Sequence, residues 1–339
     1  MKRIAVINQK GGVGKTTTTV NLGAALAHLG RRTMLLDLDP QANMTVHVDK
    51  RPDLESNTLT NLLLEDAPLS DLVQPTSLPN LFVVPSDTSL AGVEQVLANR
   101  IGRETILREA LDAFPGKDDY EFVLFDCPPS LGVLSANALV AADFVVIPMQ
   151  AEYLSLQGMA KLLEVIQLVQ KRLNPELRIA CVLPCMLDSR TNLSTEVLGE
   201  IEAHFGDLLT RTRIRSNVKL AEAPSFGRTI FEHAPDSNGA KDYAAFAREF
   251  LAMIADAPVG ARADGDAPSE AARSESFGSG NARPEHSRSE DSRPEHAGPG
   301  GAPGADGRPA SAPDGRSGAG TAADAPGEPP AGAEAQAGG

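Results

Sequence analysis

The stretch that most limits what this chain can fold into is NQKGGVGKTTTT, residues 8–19. An apolar run leads into it and a segment of helical period leads out. Glycine tolerates backbone conformations closed to other residues, so Gly11, Gly12 and Gly14 let main-chain N–H groups converge on one point. A helix opening at Thr16 aims the positive end of its dipole at the same point. Strand, glycine loop and helix in that order build a cradle for phosphate oxygens. Gly14-Lys15-Thr16 completes the second half of the GxxxxGK[ST] pattern, with Gln9 where its first glycine belongs. In such a loop Lys15 reaches the β- and γ-phosphates and the Thr16 hydroxyl ligates Mg2+. A plain glycine turn, the competing reading, does not account for that context.

Further apolar runs at 4–8, 33–37, 81–85, 122–126, 144–148 and 179–184 are apolar on both faces, as strands are in a parallel sheet covered by helices. Helical period is expected over 16–29, closed by Gly30, and over 89–114, 132–142, 155–173, 192–205 and 240–254. This alternation predicts an α/β fold: a doubly wound, mostly parallel sheet flanked by helices, with right-handed crossovers. Ligands of such sheets sit at the carboxyl ends of the strands, and residues 8–16 form the first such end.

Composition divides the chain. Of 339 residues, those from 258 to 339 include no Lys, Ile, Leu or Trp and a single aromatic, Phe277. That is too little apolar surface to offset the entropy lost on ordering, so 258–339 is expected to be a disordered Gly/Pro/Ala/Ser-rich acidic tail behind one domain over 1–257. The tail carries 13 acidic and 7 basic residues, and the formal charge of −14 leaves 1–257 acidic as well. Any nucleic-acid binding must therefore come from a local patch. Cys127, Cys181 and Cys185 form no CxxC pair, as expected in a reducing cytoplasm. No apolar run approaches the 18 or so residues of a bilayer span, and Met1-Lys2-Arg3 runs straight into the first strand, so a soluble cytoplasmic protein is expected.

Two further stretches place carboxylates at strand ends. In LLDLDPQAN, residues 35–43, Asp37 and Asp39 lie two apart, so strand alternation turns both toward the glycine loop and its metal. An acidic group there orients an attacking water or holds Mg2+ through water; a pair of turn aspartates before Pro40 is the competing reading. In FVLFDCPPSLG, residues 122–132, four apolar residues end in Asp126, placed to hold the Mg2+ shell, or else a capping aspartate. Cys127-Pro128-Pro129 then forces an extended exit suited to a loop that senses the γ-phosphate. Lys10 stands apart: beside Lys15 it is redundant for its own phosphates, so it is either a solvated loop lysine or reaches a nucleotide held by a second subunit. RTRIRSNVKL, residues 211–220, gathers Arg211, Arg213, Arg215 and Lys219, and Arg190 is a further basic candidate. Such a cluster is a solvated face or a DNA contact; lacking interleaved aromatics, it would grip phosphates regardless of sequence.

Lys10-Gly11-Gly12-Val13-Gly14-Lys15-Thr16-Thr17 resembles the deviant Walker A box of the ParA/MinD ATPases. DLDPQ and DCPPSLG resemble that family's DxDPQ and DxPPSLG boxes. MLDSRTNLS, NVKLAEAPSFGRTI and SNGAKDYAAFAREF resemble the C-terminal blocks of its chromosomal ParA/Soj branch, so the likeness covers nearly all of 1–257. The resemblance implies a ParA-type P-loop ATPase domain, slow in intrinsic turnover, that uses ATP and Mg2+. It assigns nucleotide binding to Lys10, Gly11, Gly12, Val13, Gly14, Lys15, Thr16 and Thr17. It sends Lys10 across an ATP-sandwiched homodimer to the partner's phosphates and gives Asp39 the water-positioning role. Asp126 holds the Mg2+ shell through water beside Thr16, with Asp37 a further metal candidate. The same likeness implies non-specific binding of double-stranded DNA by the dimer, release on hydrolysis stimulated by a ParB-like centromere-binding protein, and a cytoplasmic, nucleoid-associated location. Arg190 and Lys219 fall on the family's DNA-binding positions.

One departure stands out. Where the family usually reads IPRNVRL, this chain has Ile214-Arg215-Ser216-Asn217-Val218-Lys219-Leu220. A proline is lost beside the expected adenine pocket and an arginine has moved by one, leaving Asn217 the purine-site candidate and Arg215 a further DNA candidate. Adenine preference rests on the family alone, since nothing in the loop excludes guanine. The alternative function, a MinD-like membrane-cycling ATPase that positions a division or envelope complex, requires an amphipathic basic helix after the domain; FLAMIADAPVGARADGDAP has little basic charge. A non-catalytic scaffold is disfavoured by the presence of Lys15, Thr16, Asp39 and Asp126. An iron–sulfur reductase is disfavoured because Cys181 and Cys185 fall in and just past a buried strand.

Overall fold

The computed structural model describes residues 1–50, 58–150, 155–187 and 192–255; of 155–157 and 192–198 it describes the helical backbone alone. The predicted tail at 258–339 and Arg190 lie outside the described residues. In chain order the elements are β1 (Lys2–Val6), α1 (Lys15–His28), β2 (Thr33–Asp37), α2 (Asn43–His47), α3 (Leu59–Glu65), β3 (Gln74–Pro75), β4 (Leu81–Val84), α4 (Val93–Val96), α5 (Ile106–Ala113), β5 (Phe122–Asp126), α6 (Val133–Ala141), β6 (Phe144–Gln150), α7 (Ser155–Arg172), β7 (Arg178–Cys185), α8 (Asn192–Phe205), α9 (Val218–Glu222), α10 (Ile230–His233) and α11 (Asn238–Ala255).

Among the described residues seven strands form one sheet, in the order β3-β4-β2-β5-β1-β6-β7. Every described pair is parallel except β3–β4 at the edge. The doubly wound sheet expected from the sequence is thus present. Strand alternation divides its side chains between two apolar layers. Ala5, Met34, Leu36, Val123, Phe125, Val145 and Ile147 pack with Leu107 and Leu111 of α5, Leu134 and Leu139 of α6 and Leu162 and Ile166 of α7. Ile4, Val6, Leu35, Leu124 and Val146 face the opposite way, onto Leu22 and Leu26 of α1 and Phe246 and Phe250 of α11. Each Val, Leu, Ile, Met or Phe side chain among them, taken fully out of water, contributes about 1.5–3 kcal/mol before entropy is counted.

One expected element is corrected. The segment 89–114 is not a single helix: 3-10 turns at Thr88–Gly92 and Leu97–Asn99 flank the four-residue α4, and α5 starts only at Ile106. Gly102 sits at φ +75, the left-handed conformation that closes a helix, and Arg100 before it is extended. The apolar period continues through the break because both pieces pack on the same layer, through Val93, Leu97 and Leu107. Among the described residues no helix is long and apolar enough to cross a membrane.

Candidate functional site

The topology places the carboxyl ends of β2, β5 and β1 side by side, with Asp37 opposite Asp126 and Asp126 opposite Val6. Three loops that are far apart in sequence therefore share one rim. Between them opens a cleft of about 520 Å3, lined among others by Gly11, Gly12, Gly14, Lys15, Thr16, Thr17, Asp39, Gln41, His47, Pro129, Met186 and Pro224. A second cleft, about 360 Å3 and lined by Leu62, Ile106 and Phe114, borders none of these loops.

The glycine loop takes the conformation its residues permit. Gly12 and Gly14 have φ of +74° and +91°, and Gly14 is the left-handed residue from which α1 springs. A side chain at either would be strained. Lys15 opens α1 with its Nζ 3.5 Å from the Lys10 carbonyl. Burial holds its ammonium below the ordinary lysine range, opposed by the charges of Asp126 and Asp39. A buried cation facing carboxylates, at the positive end of a helix, is poised for a polyanion. The Lys10 amide is fixed by Asn8 Oδ1 at 3.0 Å, while Val13 is buried in the loop.

The carboxylates divide their work. Asp126 is fully buried, and its acid is pushed well above the carboxylate range by desolvation first and then by the charge of Asp37, opposed by a hydrogen bond from the Thr16 side chain. Thr19 Oγ1 shares its proton between Asp126 Oδ1 at 3.3 Å and the Lys15 carbonyl at 3.0 Å. Asp126 Oδ2 is buried with no partner among the described residues. Asp39 lines the cleft, with Oδ1 accepting from the Gln41 amide at 3.0 Å, so it serves the turn with one oxygen and faces the cleft as well. Asp37 is tied elsewhere: Oδ2 accepts from Thr45 N and Oγ1 at 2.8 and 2.6 Å, and Oδ1 from the Asp39 amide at 3.2 Å. Burial outweighs these bonds and raises its acid to about 6.

Among the described residues no group of three or more His, Cys, Asp or Glu side chains could by itself hold a metal. Mg2+ does not need such a cage. It keeps several waters and binds through one or two protein groups plus substrate phosphates. Thr16 at the cleft wall and Asp126, whose second carboxyl oxygen is buried with no partner among the described residues, fit that requirement. When bound there, Mg2+ supplies charge neutralisation on the phosphates. The glycine loop, Lys15 and the Asp39 carboxylate all stand at the cleft wall, where phosphate oxygens would meet the loop amides and the ammonium.

Other sequence candidates are less drawn to the site. Asn217 uses Oδ1 to cap α9, accepting from the Lys219 amide at 2.8 Å. The Lys219 ammonium pairs with Glu222 at 2.7 Å, and Arg215 grips Asp242 with two nitrogens at 3.0 and 2.5 Å. Arg211 and Arg213 are exposed. The structure also adds residues that sequence reasoning missed. Gln41, Val46 and His47 reach the wall because α2 folds back after the Asp39 turn, and Met186 and Pro224 come from the turn just past β7 and the turn after α9. A five-residue helix has too few turns to show a period, so α2 left no signal in the sequence.

Phosphate cradle, buried lysine and acid-lined metal position on a parallel sheet define an Mg2+-dependent P-loop ATPase. A family model described as "AAA domain" matches residues 1–179. The sporulation initiation inhibitor protein Soj of Bacillus subtilis is 47% identical over 252 residues, 74% of this chain and 98% of that one. The chromosome-partitioning ATPase Soj of Thermus thermophilus is 46% identical over 257 residues, 76% and 98% respectively. The crystal structure of cobyrinic acid a,c-diamide synthase from Mycobacterium smegmatis, with bound ATP analog and magnesium, matches with a TM-score of 0.66 and 36% identity over 76% of this chain and 98% of that one. The chain belongs to the ParA/Soj family of chromosome-partitioning ATPases.

Proposed function

We propose that this ATPase partitions DNA by a nucleotide-gated dimer cycle: two subunits close around two ATP molecules, the dimer binds double-stranded DNA without regard to sequence, and hydrolysis stimulated by a DNA-bound ParB-like partner releases it. The observation that carries this reading is the loop itself, which bears a second lysine, Lys10, five residues before the buried Lys15 and beside the cleft. One lysine suffices for a subunit's own phosphates, and Lys10 serves those of the facing subunit. Apolar side chains at the same rim, Val46 and Met186 in the cleft wall and Phe226 just past Pro224, are exposed and favour burial against a second copy.

DNA contact is assigned to Arg190 and Lys219, with Arg215, whose guanidinium also pairs with Asp242, a further candidate. Asn217 is retained as a purine contact through its amide nitrogen, its oxygen being spent on the α9 cap. Sedimentation of the Asp39→Ala protein at saturating ATP tests the dimer: a stable dimer is expected, and single subunits throughout would reject the cycle. Pelleting with plasmid DNA against anionic liposomes, with and without ATP, tests the cargo. ATP-dependent DNA retention is expected, whereas liposome recruitment without DNA binding would replace this reading by a membrane-cycling one.

A further inference from the structure

Met186 stands out among the seven methionines. Met34, Met44, Met149 and Met159 are at most 2% exposed, and Met1 and Met253 pack against the two apolar layers. Met186 is 45% exposed and stands in the wall of the nucleotide cleft. Its backbone is left-handed at φ +56, a conformation an L-residue adopts at a cost and keeps only when its surroundings enforce it. They do: the Leu187 amide donates to the Ile214 carbonyl at 3.1 Å and the Ser216 amide to the Leu187 carbonyl at 3.0 Å. The turn aims the thioether at the phosphate loop. Met186 Cε lies 3.7 Å from where a Cβ on Gly14 would be. Gln150 Nε2 donates to Met186 Sδ at 2.8 Å and to the Gly12 carbonyl at 3.3 Å, so one amide ties the sulfur to the loop.

We propose that Met186 is a peroxide-sensitive modification site whose oxidation closes the cleft to nucleotide. The inference rests on the cleft being the ATP site. A sulfur lone pair attacks one oxygen of hydrogen peroxide, the O–O bond breaks, an S=O bond forms, and the other oxygen leaves as water after proton transfer. The thioether is oxidised by two electrons to the sulfoxide and the peroxide is reduced to water. Oxidation converts a flexible apolar group into a polar one with a strong acceptor oxygen. That oxygen draws the Gln150 amide away from the Gly12 carbonyl and sets partial negative charge beside Gly14, in a loop built to receive phosphate oxygens. The three cysteines do not compete for oxidant, because all are buried and burial pushes their thiols up.

The test treats the full-length, nucleotide-free protein with near-stoichiometric hydrogen peroxide, maps oxidised methionines by peptide mass spectrometry, and measures ATP affinity by calorimetry. Met186 sulfoxide is expected to form ahead of the other six, with affinity falling about tenfold, equivalent to about 1.4 kcal/mol. Saturating Mg-ATP is expected to slow the oxidation, and methionine sulfoxide reductases to restore binding. The Met186→Leu protein, compared with its own untreated baseline, should keep its affinity after peroxide. Oxidation of another methionine first, full affinity in protein quantitatively oxidised at Met186, or an equal loss in the Met186→Leu variant would each overturn the proposal. Untreated protein that did not bind ATP would overturn the nucleotide site, and the proposal with it.

Discussion

Lys15 is a buried cation whose depressed pKa records a desolvation cost that a bound polyanion relieves. Lys15→Ala is expected to abolish detectable ATP binding in a calorimetric titration while leaving the circular dichroism spectrum intact. Asp39→Ala should retain ATP binding and lose hydrolysis; normal turnover in that variant would remove the carboxylate from its role at the cleft wall. His47 offers a pH signature. It is buried at the end of α2, its Nε2 has no partner among the described residues, and burial lowers its pKa to about 4, opposed by a hydrogen bond to the Arg228 backbone and by Glu232. Between about 6.5 and 4 the unfolded chain holds a proton there that the folded chain does not, so this contribution is full above 6.5 and is lost as pH falls, at about 1.4 kcal/mol per unit within the window. His47→Leu should flatten that slope in urea unfolding compared at pH 5 and 7.5; an unchanged pH dependence would refute the assignment.

At the scale of elements, the strongest local signals became the best-placed structure. The predicted strands at 33–37 and 122–126 are β2 and β5 residue for residue, and 16–29 is α1 shifted by one. Apolarity on both faces and glycine at the helix end are properties a short window displays. The helix expected over 89–114 broke because its two halves share one buried layer, which mimics continuity in the sequence. The short α2, α9 and α10 and the two-residue β3 were silent, since elements of two to five residues are held by tertiary contacts rather than by period. Thr45 shows such a contact: its amide and hydroxyl hold the buried Asp37 and fix α2 under β2. Thr45→Val keeps the shape and removes the hydroxyl, so it should destabilise by about 1–3 kcal/mol in denaturant unfolding. A loss below a few tenths would mean that Asp37 is neutral and indifferent to its partner.

For the whole molecule, stability rests on the two apolar layers that sandwich the sheet. Phe246 of α11 is fully buried against the face of the sheet that carries α1, so Phe246→Ala should cost about 3–5 kcal/mol, read from the shift in unfolding midpoint. DNA retention should fall steeply with salt, and Arg190→Glu should lower its slope by roughly one while dimerisation persists. Equal retention by both proteins at every salt concentration would refute the assignment of Arg190. The sequence by itself determined the sheet's chemistry, the phosphate loop and the acid at the end of each motif strand, because strand period, glycine conformations and the helix dipole act within a few residues. Only the tertiary structure decided that β2, β5 and β1 lie side by side, that Asp37 turns to Thr45 while Asp39 faces the cleft, and that Met186 leans on Gly14. Those outcomes depend on which distant segments share a layer, and packing between elements settles that only once the chain has closed on itself.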